Sequence, residues 1–311
     1  MTMNERAERL VLAMFDDAEA LRIRRHPGAV DVLDCGVEVR GGLAAGLLLA
    51  RVCLGDLGTV TLVPSTIAEW PGPAVQVVTD DPVRACLAAQ YAGRQVTLGK
   101  FFGMGSGPMR ALIGGEAIFD DIPGRETGTV AVGVIESKKL PPADVLDLLR
   151  AKASGVERFY LLVAPASSLA GGVQVVARSV ETALHKLHEL KFDVTQVLSG
   201  YGTAPLPPTT PNELAAIGRT NDSILYGGRV TLTVDCDDDV IDAVGPKVPS
   251  SASADHGELF AELFKKYGDF YKIDPLLFSP AEVTFANART GTCRTFGRVE
   301  PKLLAKSFYG A

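Results

Sequence analysis

Apolar positions along the chain recur with two different periods, which predict a mixture of helices and strands. Residues 4–21 repeat apolar side chains every three or four positions, as an amphipathic helix does. Thr2 stands three residues before Glu5, the spacing of a capping box. Residues 230–234 read Val-Thr-Leu-Thr-Val, the alternation of a half-buried strand. The same reasoning predicts further helices over 42–54, 82–93, 141–149, 173–190, 212–225 and 255–266. It predicts further strands over 30–39, 59–63, 75–78, 95–98, 129–135, 159–163 and 282–285.

The order of these elements predicts the fold class. Helices and strands are mixed throughout, which favours an α/β (mixed α+β) chain with more than one sheet. No stretch has the composition of a flexible linker, so two tightly packed subdomains are expected rather than two tethered domains. We place the boundary between an N-terminal subdomain, 1–165, and a C-terminal subdomain, 166–311, and allow the two to interleave.

Composition and charge exclude several classes of protein. The chain is 47% hydrophobic with a formal net charge of −6, so a broad basic surface for nucleic acid is disfavoured. The most basic stretch, Arg22 to His26, is short, and we interpret it as a solvated helix end. Residues 43–50 form the longest apolar run, which is too short to span a bilayer, and no signal-peptide pattern precedes it. The five cysteines are far apart and lack C-x-x-C spacing, which fits reduced thiols and a cytoplasmic protein.

The first candidate for chemistry is the glycine-rich segment 102–110, Phe-Gly-Met-Gly-Ser-Gly-Pro-Met-Arg. Its alternating glycines let a backbone pass close to a ligand, and a helix that begins at Pro108 offers amide groups to an anion. The dinucleotide fingerprint requires a glycine where Pro108 stands, and no Gly-Lys-Ser/Thr follows as in a phosphate-binding loop. Two interpretations stay open: a ligand-lining loop and a glycine-rich turn between elements.

The second candidate is a polar stripe on the predicted helix 173–190. Arg178, Glu181, His185 and His188 fall on one face at helical spacing. An arginine three residues before a glutamate can hold the carboxylate, which can then accept a proton from water and return it. From the residues alone, the polar face of a surface helix with one salt bridge is the favoured interpretation. A metal site of Glu181, His185 and His188 is weaker, because no fourth ligand suggests itself.

The third candidate is the segment 216–228, Ala-Ile-Gly-Arg-Thr-Asn-Asp-Ser-Ile-Leu-Tyr-Gly-Gly. It places several polar side chains between glycines, and these could read the hydrogen-bonding edge of a ligand ring. A helix end followed by a Gly-Gly turn into the strand 230–234 explains the same pattern. Both interpretations stay open.

Seven stretches in order along the chain carry a family resemblance. They are Asp34-Cys35-Gly36-Val37, Gln90-Tyr91-Ala92-Gly93, Met104-Gly105-Ser106-Gly107-Pro108, Val163-Ala164-Pro165, Ser168-Leu169-Ala170-Gly171-Gly172-Val173-Gln174, Arg178-x-x-Glu181-x-Ala183-Leu184-His185-Lys186 and Gly218-Arg219-Thr220-Asn221-Asp222-x-Ile224-Leu225-Tyr226-Gly227-Gly228. With them the chain resembles the methenyl-tetrahydromethanopterin cyclohydrolase family over most of its length. Coverage is weakest after about residue 240, and Ala166 departs from a threonine associated with that position.

The resemblance implies a fold, an assembly and a reaction. It implies two α/β subdomains with a pocket between them, and a homo-oligomer of which a trimer is the family's example. The expected activity is the reversible hydrolysis of methenyl-tetrahydromethanopterin, or its dephospho form, to the formyl derivative in one-carbon metabolism. A pterin substrate is therefore the expected partner, with no nucleic acid, membrane, metal or prosthetic group.

The resemblance also assigns residues. The family's Arg-x-x-Glu pair falls on Arg178 and Glu181, which makes Glu181 the expected proton-transfer group and Arg178 its orienting partner. It further implies a set of pocket residues, namely Gly105, Ser106, Gly107, Asn221 and Asp222. The basic side chain of Lys100 could meet an acidic tail of the substrate.

Two functions from other classes compete with this expectation. A pterin- or flavin-linked oxidoreductase could use the glycine-rich segment and would need an electron carrier. A non-catalytic pterin-binding protein would bind the ring without turnover. The Arg178 and Glu181 pair speaks against the binding protein, although a binding site could use the same pair, and turnover without an electron carrier distinguishes the hydrolase from the oxidoreductase.

Overall fold

The computed structural model describes residues 1–67, 70–268 and 272–310. Two compact units divide the chain: residues 1–59 with 83–174, and residues 60–82 with 175–311. Each unit contains one six-stranded mixed sheet with helices packed on it. The predicted mixed α/β class is therefore confirmed.

The helices are as follows: α1 Met3–Asp16, α2 Ala18–Leu21, α3 Leu43–Cys53, α4 Met109–Ile113, α5 Ile118–Asp121, α6 Ala143–Lys152, α7 Leu169–Val176, α8 Ser179–Glu189, α9 Glu213–Gly227, α10 Asp238–Val244, α11 Phe260–Tyr267 and α12 Pro301–Tyr309. A π-helix spans Val83–Gln90. Among the described residues, no helix combines the length and the apolarity needed to cross a bilayer.

The strands are as follows: β1 Arg24–His26, β2 Asp31–Asp34, β3 Gly58–Pro64, β4 Pro73–Thr79, β5 Arg94–Leu98, β6 Phe101–Ser106, β7 Val130–Glu136, β8 Arg158–Ala164, β9 Val197–Pro205, β10 Arg229–Val234, β11 Glu282–Asn287 and β12 Cys293–Gly297. The first sheet has the order β1-β2-β8-β7-β6-β5 and the second has the order β12-β11-β10-β9-β4-β3.

The sheet of the first unit is buried on both faces at its centre. Strand β7 sends Val132 to a core shared with α1 and α3, while its neighbour Ala131 joins a core shared with α6. Because side chains of a strand alternate between faces, both sets are apolar. The parallel pairs β2–β8 and β7–β8 lie at the centre, with antiparallel strands at the edges.

The second unit has a different core. Helix α8 packs against β9 and β10. Helices α9, α11 and α12 form a separate apolar cluster that includes Tyr226, Phe260 and Phe308. Parallel pairing is confined here to β10 with β11, and the other neighbouring strands with a described register run antiparallel.

Several predicted elements need correction. The glycine-rich segment 102–110 is strand β6 up to Ser106 rather than a loop throughout, because its backbone pairs with β5 and β7. The predicted helix 173–190 is two helices, α7 and α8, with a break at residues 177–178. The basic stretch does end helix α2 at Arg22, but Arg24–His26 then form strand β1 rather than a solvated helix end.

Other differences concern helix type and missed elements. The predicted helix 82–93 is a π-helix over Val83–Gln90. Strands β9 and β12 and helix α12 were not predicted. Four of the five cysteines, Cys35, Cys53, Cys86 and Cys236, are buried free thiols, and Cys293 is an exposed free thiol.

Candidate functional site

The break between α7 and α8 places the two residues of the predicted catalytic pair. Arg178 leaves helical geometry with φ −92° and ψ 9°, and its amide donates to the carbonyl of Val175 at 3.1 Å. Its carbonyl accepts from the amide of Thr182 at 2.9 Å, so α8 begins directly after it. Glu181 therefore lies in the first turn of α8, where the helix dipole favours a negative charge.

Arg178 and Glu181 form a buried ion pair. The Nη1 atom of Arg178 lies 3.9 Å from Oε2 of Glu181, and the two residues are 7% and 4% exposed. A solvated surface salt bridge, which the residues alone favoured, does not describe this pair. Burial makes each charge costly unless it is compensated, and pairing supplies that compensation. The carboxylate is thus held beside a cation in surroundings that strengthen electrostatic effects.

The opposite face of α8 fixes the helix on its sheet. Val180, Leu184 and Leu187 are completely buried there. Strand β9 carries Gly202 under the first turn of α8, and a Cβ atom at that position would lie 2.5 Å from Oγ of Ser179. A real Cβ atom essentially never comes so close, so glycine permits this approach. The strand therefore helps to set where the Arg178 and Glu181 pair lies.

The two histidines of the predicted stripe lie further along α8. Nε2 of His185 is 3.7 Å and Nδ1 of His188 is 3.9 Å from the carboxylate of Glu189. Among the described residues, Glu181, His185 and His188 do not form a group of ligand atoms that all lie within 4.8 Å of one another. The structure thus gives no support to the weaker metal-site interpretation of this stripe.

The predicted pocket residues Gly105, Ser106 and Gly107 lie in the first unit, at the end of β6. Gly105 and Ser106 are buried, and Ser106 pairs with Val134 of β7. Gly107 has a φ of +87°, which side chains rarely adopt, and its amide donates to the carbonyl of Ala89 at 2.9 Å. These three residues form a tight turn from the strand into α4.

Two buried polar side chains hold this turn, and sequence reasoning missed both. Nδ2 of Asn4 donates to the carbonyl of Pro108 at 2.9 Å, and its Oδ1 accepts from the amide of Val132 at 2.9 Å. The fully buried Arg110 donates from Nη1 to the carbonyl of Leu87 at 2.8 Å and from Nη2 to Glu116 at 2.6 Å. A polar residue on the apolar side of a helix was the available signal for Asn4.

Lys100 is exposed at the tip of a two-residue hairpin between β5 and β6. Its neighbour Gly99 has a φ of +57°, as tight hairpin turns require. The exposed ammonium group is accessible to an anion, although no contact of the structure assigns it one.

Asn221 and Asp222 lie on α9 in the second unit. Nδ2 of Asn221 donates to the carbonyl of Ile217 at 2.8 Å, within the helix. Oδ1 of Asp222 accepts from the amide of Phe260 at 2.9 Å, and Oδ2 accepts from Oγ of Ser307 at 2.6 Å. Burial raises the pKa of Asp222 to about 7, against the opposing effect of these two hydrogen bonds. Asp222 thus connects α9 to both α11 and α12.

The predicted residues therefore fall into two sets. Within the second unit, Arg178 and Glu181 are brought together as a pair, and Asn221 and Asp222 are neighbours on another helix. The first unit holds the other predicted residues, namely Lys100, Gly105, Ser106 and Gly107. The arrangement of Arg178 and Glu181 suits proton transfer by a carboxylate whose position and charge are controlled.

Comparison with known proteins gives consistent matches along the whole chain. The family model described as Cyclohydrolase (MCH) matches residues 2–308. A protein of Rhodopirellula baltica named methenyltetrahydromethanopterin cyclohydrolase is 51% identical over 285 residues, covering 89% of this chain and 85% of that protein. Proteins of the same name from Methylobacillus flagellatus and Methanococcoides burtonii are 42% and 37% identical. Each covers 99% of this chain, and the chain covers 95% and 98% of them.

Proposed function

Because the chain belongs to the cyclohydrolase (MCH) family, we propose that it is a hydrolase that converts methenyl-tetrahydromethanopterin, or its dephospho form, reversibly to the formyl derivative. This reaction belongs to one-carbon metabolism. A relative that carries the name of this activity is 51% identical over 89% of this chain. The structural observation that best supports a hydrolytic site is the buried ion pair of Arg178 and Glu181.

The chemistry of the substrate explains why one carboxylate suffices. The methenyl carbon lies between two nitrogens in an amidinium-like cation and is already electrophilic. Water adds to this carbon, and Glu181 accepts the proton that the attacking oxygen loses. Glu181 then returns the proton to the nitrogen that departs. The C–N bond breaks as the remaining O–H proton is released to solvent, and the oxygen becomes the carbonyl oxygen of the formyl group. The negative charge of Glu181 also stabilises the cationic substrate before water adds.

Arg178 acts through Glu181 in this proposal. Its guanidinium group lies 3.9 Å from the carboxylate and keeps it ionised and oriented, together with the first turn of α8. The buried side chains of Val180, Leu184 and Leu187 anchor the helix on strands β9 and β10. Much of the rate gain should then come from positioning, since a fixed base and a fixed electrophile avoid the entropy cost of bringing them together.

We also propose the pocket residues from the family resemblance. The backbone of Gly105 to Gly107, with the hydroxyl of Ser106, would line the pterin site, and Asn221 and Asp222 would contribute from α9. Both oxygens of Asp222 already accept one hydrogen bond, so a contact with substrate would use a remaining lone pair. Lys100 would meet an acidic tail of the substrate.

The remaining features of the proposal rest on the same resemblance. We propose that hydrolysis proceeds with no metal or prosthetic group, because the substrate carries its own positive charge. A cytoplasmic homo-oligomer, with three subunits as in the family's example, completes the proposal. Sedimentation or light scattering of the purified protein measures the number of subunits.

Hydrolysis in ¹⁸O-labelled water tests the proposed reaction. The protein is mixed with methenyl-tetrahydromethanopterin without any electron carrier, and the product is analysed by mass spectrometry against an enzyme-free control. Formyl product that carries the label and forms only with enzyme supports hydrolysis. A methylene product that forms only with a reductant would instead indicate an oxidoreductase, and saturable binding without turnover would indicate a binding protein.

A further inference from the structure

Strands β1 and β2 bring together three side chains that can coordinate a metal. His26 ends β1, Asp34 ends β2, and Glu38 follows in the next loop. One ligand atom from each lies within 4.8 Å of those of the other two. All three residues belong to the first unit and have no part in the proposed hydrolysis.

The pairing of the two strands explains this convergence. In the antiparallel register of β1 and β2, His26 lies opposite Val32 and Arg24 lies opposite Asp34. Side chains two positions apart on a strand share a face, so His26 and Asp34 lie on the same face of this ribbon. The short chain from β2 to Glu38 then returns a second carboxylate to that face.

Backbone amides fix the carboxylate of Asp34, which is completely buried. Oδ1 accepts from the amides of Gly36 at 2.9 Å and Val37 at 2.6 Å, and Oδ2 accepts from the amide of Glu38 at 2.8 Å. Oδ2 keeps a lone pair after these bonds, whereas Oδ1 uses both of its own. Carboxylates that bind metals are often held by hydrogen bonds in this way, which orients them before the ion arrives.

The ring of His26 supplies an independent observation. Its Nε2 atom is buried and has no hydrogen-bond partner among the residues that the structure describes. A buried polar atom without a partner costs free energy, and such atoms are rare in folded proteins. A bond to a metal ion would remove this cost.

We propose that His26, Asp34 and Glu38 form a Zn²⁺ site with a water molecule as the fourth ligand. An imidazole nitrogen with two carboxylate oxygens suits Zn²⁺, whereas Mg²⁺ and Ca²⁺ prefer oxygen ligands alone. Tetrahedral coordination at about 2.0–2.2 Å requires ligand atoms about 3.4 Å apart, so the cluster must contract on binding. The side chain of Glu38 is 56% exposed and is free to make that movement.

The positive charge of Arg24 would repel a bound metal ion, and this repulsion can be tested separately. Its Nη1 lies 3.5 Å from Oε2 of Glu38, and both side chains are more than half exposed. Such an exposed pair contributes little free energy, so Zn²⁺ can displace the guanidinium group. Removal of Arg24 should therefore strengthen Zn²⁺ binding. No such effect is expected if His26 has only a structural role.

Zn²⁺ binding would stabilise one edge of the first sheet. β1 is the edge strand of that sheet and is only three residues long. An ion that joins His26 to Asp34 and Glu38 would tie this strand to β2 and to the following loop. Because the ion would bind the folded protein, it would also raise the temperature of unfolding.

Competition between the full-length protein and a chromophoric chelator tests the site. The protein is first stripped with EDTA and then titrated with Zn²⁺. We expect one site per chain that His26→Gln and Glu38→Gln each weaken at least about tenfold, while Arg24→Gln strengthens it severalfold. Glu19→Gln is the matched control, because it removes an exposed carboxylate of the same unit outside the cluster.

Thermal unfolding with and without Zn²⁺ gives a second readout. Zn²⁺ should raise the unfolding temperature of the wild type and of Glu19→Gln, but not that of Glu38→Gln. If His26→Gln does not fold, the Glu38→Gln variant tests the site instead. The side chain of Glu38 is exposed, so this substitution should leave the fold intact. Absence of saturable binding by the wild type would overturn the proposal, and so would unchanged affinity in Glu38→Gln, which would place the ion elsewhere.

Discussion

Glu181 lies one helical turn after Arg178, and 3.9 Å separates its Oε2 from Nη1 of the arginine, with both residues buried. The arginine precedes helix α8 and the glutamate occupies its first turn. A break in a longer helical region therefore allows the ion pair and places the carboxylate in a first helical turn, where the helix dipole favours a negative charge. The same two residues carry the proposed reaction.

Substitution of Arg178 separates the effect of charge from that of shape. Arg178→Ala should lower kcat by about 10²- to 10³-fold, because Glu181 loses its orienting cation. Arg178→Lys keeps the charge but lacks the planar fork, so its kcat should lie between those of Ala and the wild type. Steady-state kinetics with methenyl-tetrahydromethanopterin measure both. Equal kcat values for Arg178→Lys and Arg178→Ala would contradict a contribution from the positive charge of residue 178.

Gly202 tests whether β9 positions the first turn of α8. Its Cβ in Gly202→Ala would come within 2.5 Å of Oγ of Ser179 and 2.8 Å of Cγ2 of the buried Val180, so the first turn of α8 must rearrange. We expect kcat to fall about 10- to 100-fold, because small displacements of catalytic groups are costly. Gly128→Ala is the matched control, since a Cβ there meets open space. Wild-type kcat in a folded Gly202→Ala protein would contradict this role of β9.

Asn4 tests the support of the glycine-rich turn. Asn4→Leu leaves the amide of Val132 and the carbonyl of Pro108 without their partner. The free energy of unfolding should fall by about 2 to 4 kcal/mol, because each buried group loses its hydrogen bond. Urea denaturation measures the change, with Arg9→Leu as the control, because it introduces the same side chain at an exposed position of α1. A change below that of the control would show that these hydrogen bonds contribute nothing.

Asp222 should make stability depend on pH. Burial raises its pKa to about 7 in the folded protein, against about 3.9 in an unfolded chain. Between about pH 4 and 7 the folded state therefore keeps a proton that the unfolded state has lost. Stability falls as the pH rises through this window, by up to about 1.4 kcal/mol per pH unit.

Asp222→Asn removes this titration and keeps an acceptor for the amide of Phe260. The variant should gain stability relative to the wild type as the pH rises from about 4 to 7. Urea denaturation of both proteins at several pH values measures the difference. A difference that stays constant over that window would contradict a raised pKa of Asp222 in the folded state.

Local interactions were predicted from the sequence most completely. The capping box is present: the amide of Glu5 donates to Oγ1 of Thr2 at 3.1 Å, and the amide of Thr2 donates to Oε2 of Glu5 at 2.8 Å. Both partners lie within three residues, so spacing alone indicates them. The spacing of Arg178 and Glu181 could likewise be recognised in the sequence. Their burial could not be predicted, because it depends on packing against other elements.

Long-range packing explains what the sequence did not predict. Strand β9 contains Gly200 and Gly202, which weaken the apolar alternation that marks a strand. Both positions need glycine because a larger residue would collide with Val180 or Ser179 of α8. The position of Asn4 on the apolar side of α1 is visible in the sequence, but its partners lie more than one hundred residues away, so the sequence does not show what it binds.

Comparison of Glu181→Gln with the wild type tests the proposed proton transfer by Glu181 most directly. Purified proteins are mixed with methenyl-tetrahydromethanopterin without metal or redox carrier, and loss of the methenyl absorbance is followed against an enzyme-free control. Glu189→Gln is the matched control, because it makes the same change at the far end of α8, where the side chain is 42% exposed. We expect fast, saturable loss for the wild type and Glu189→Gln, and a kcat lower by about 10²- to 10⁴-fold for a folded, substrate-binding Glu181→Gln. Near-normal rates in Glu181→Gln would contradict the assignment of Glu181 as the proton-transfer group.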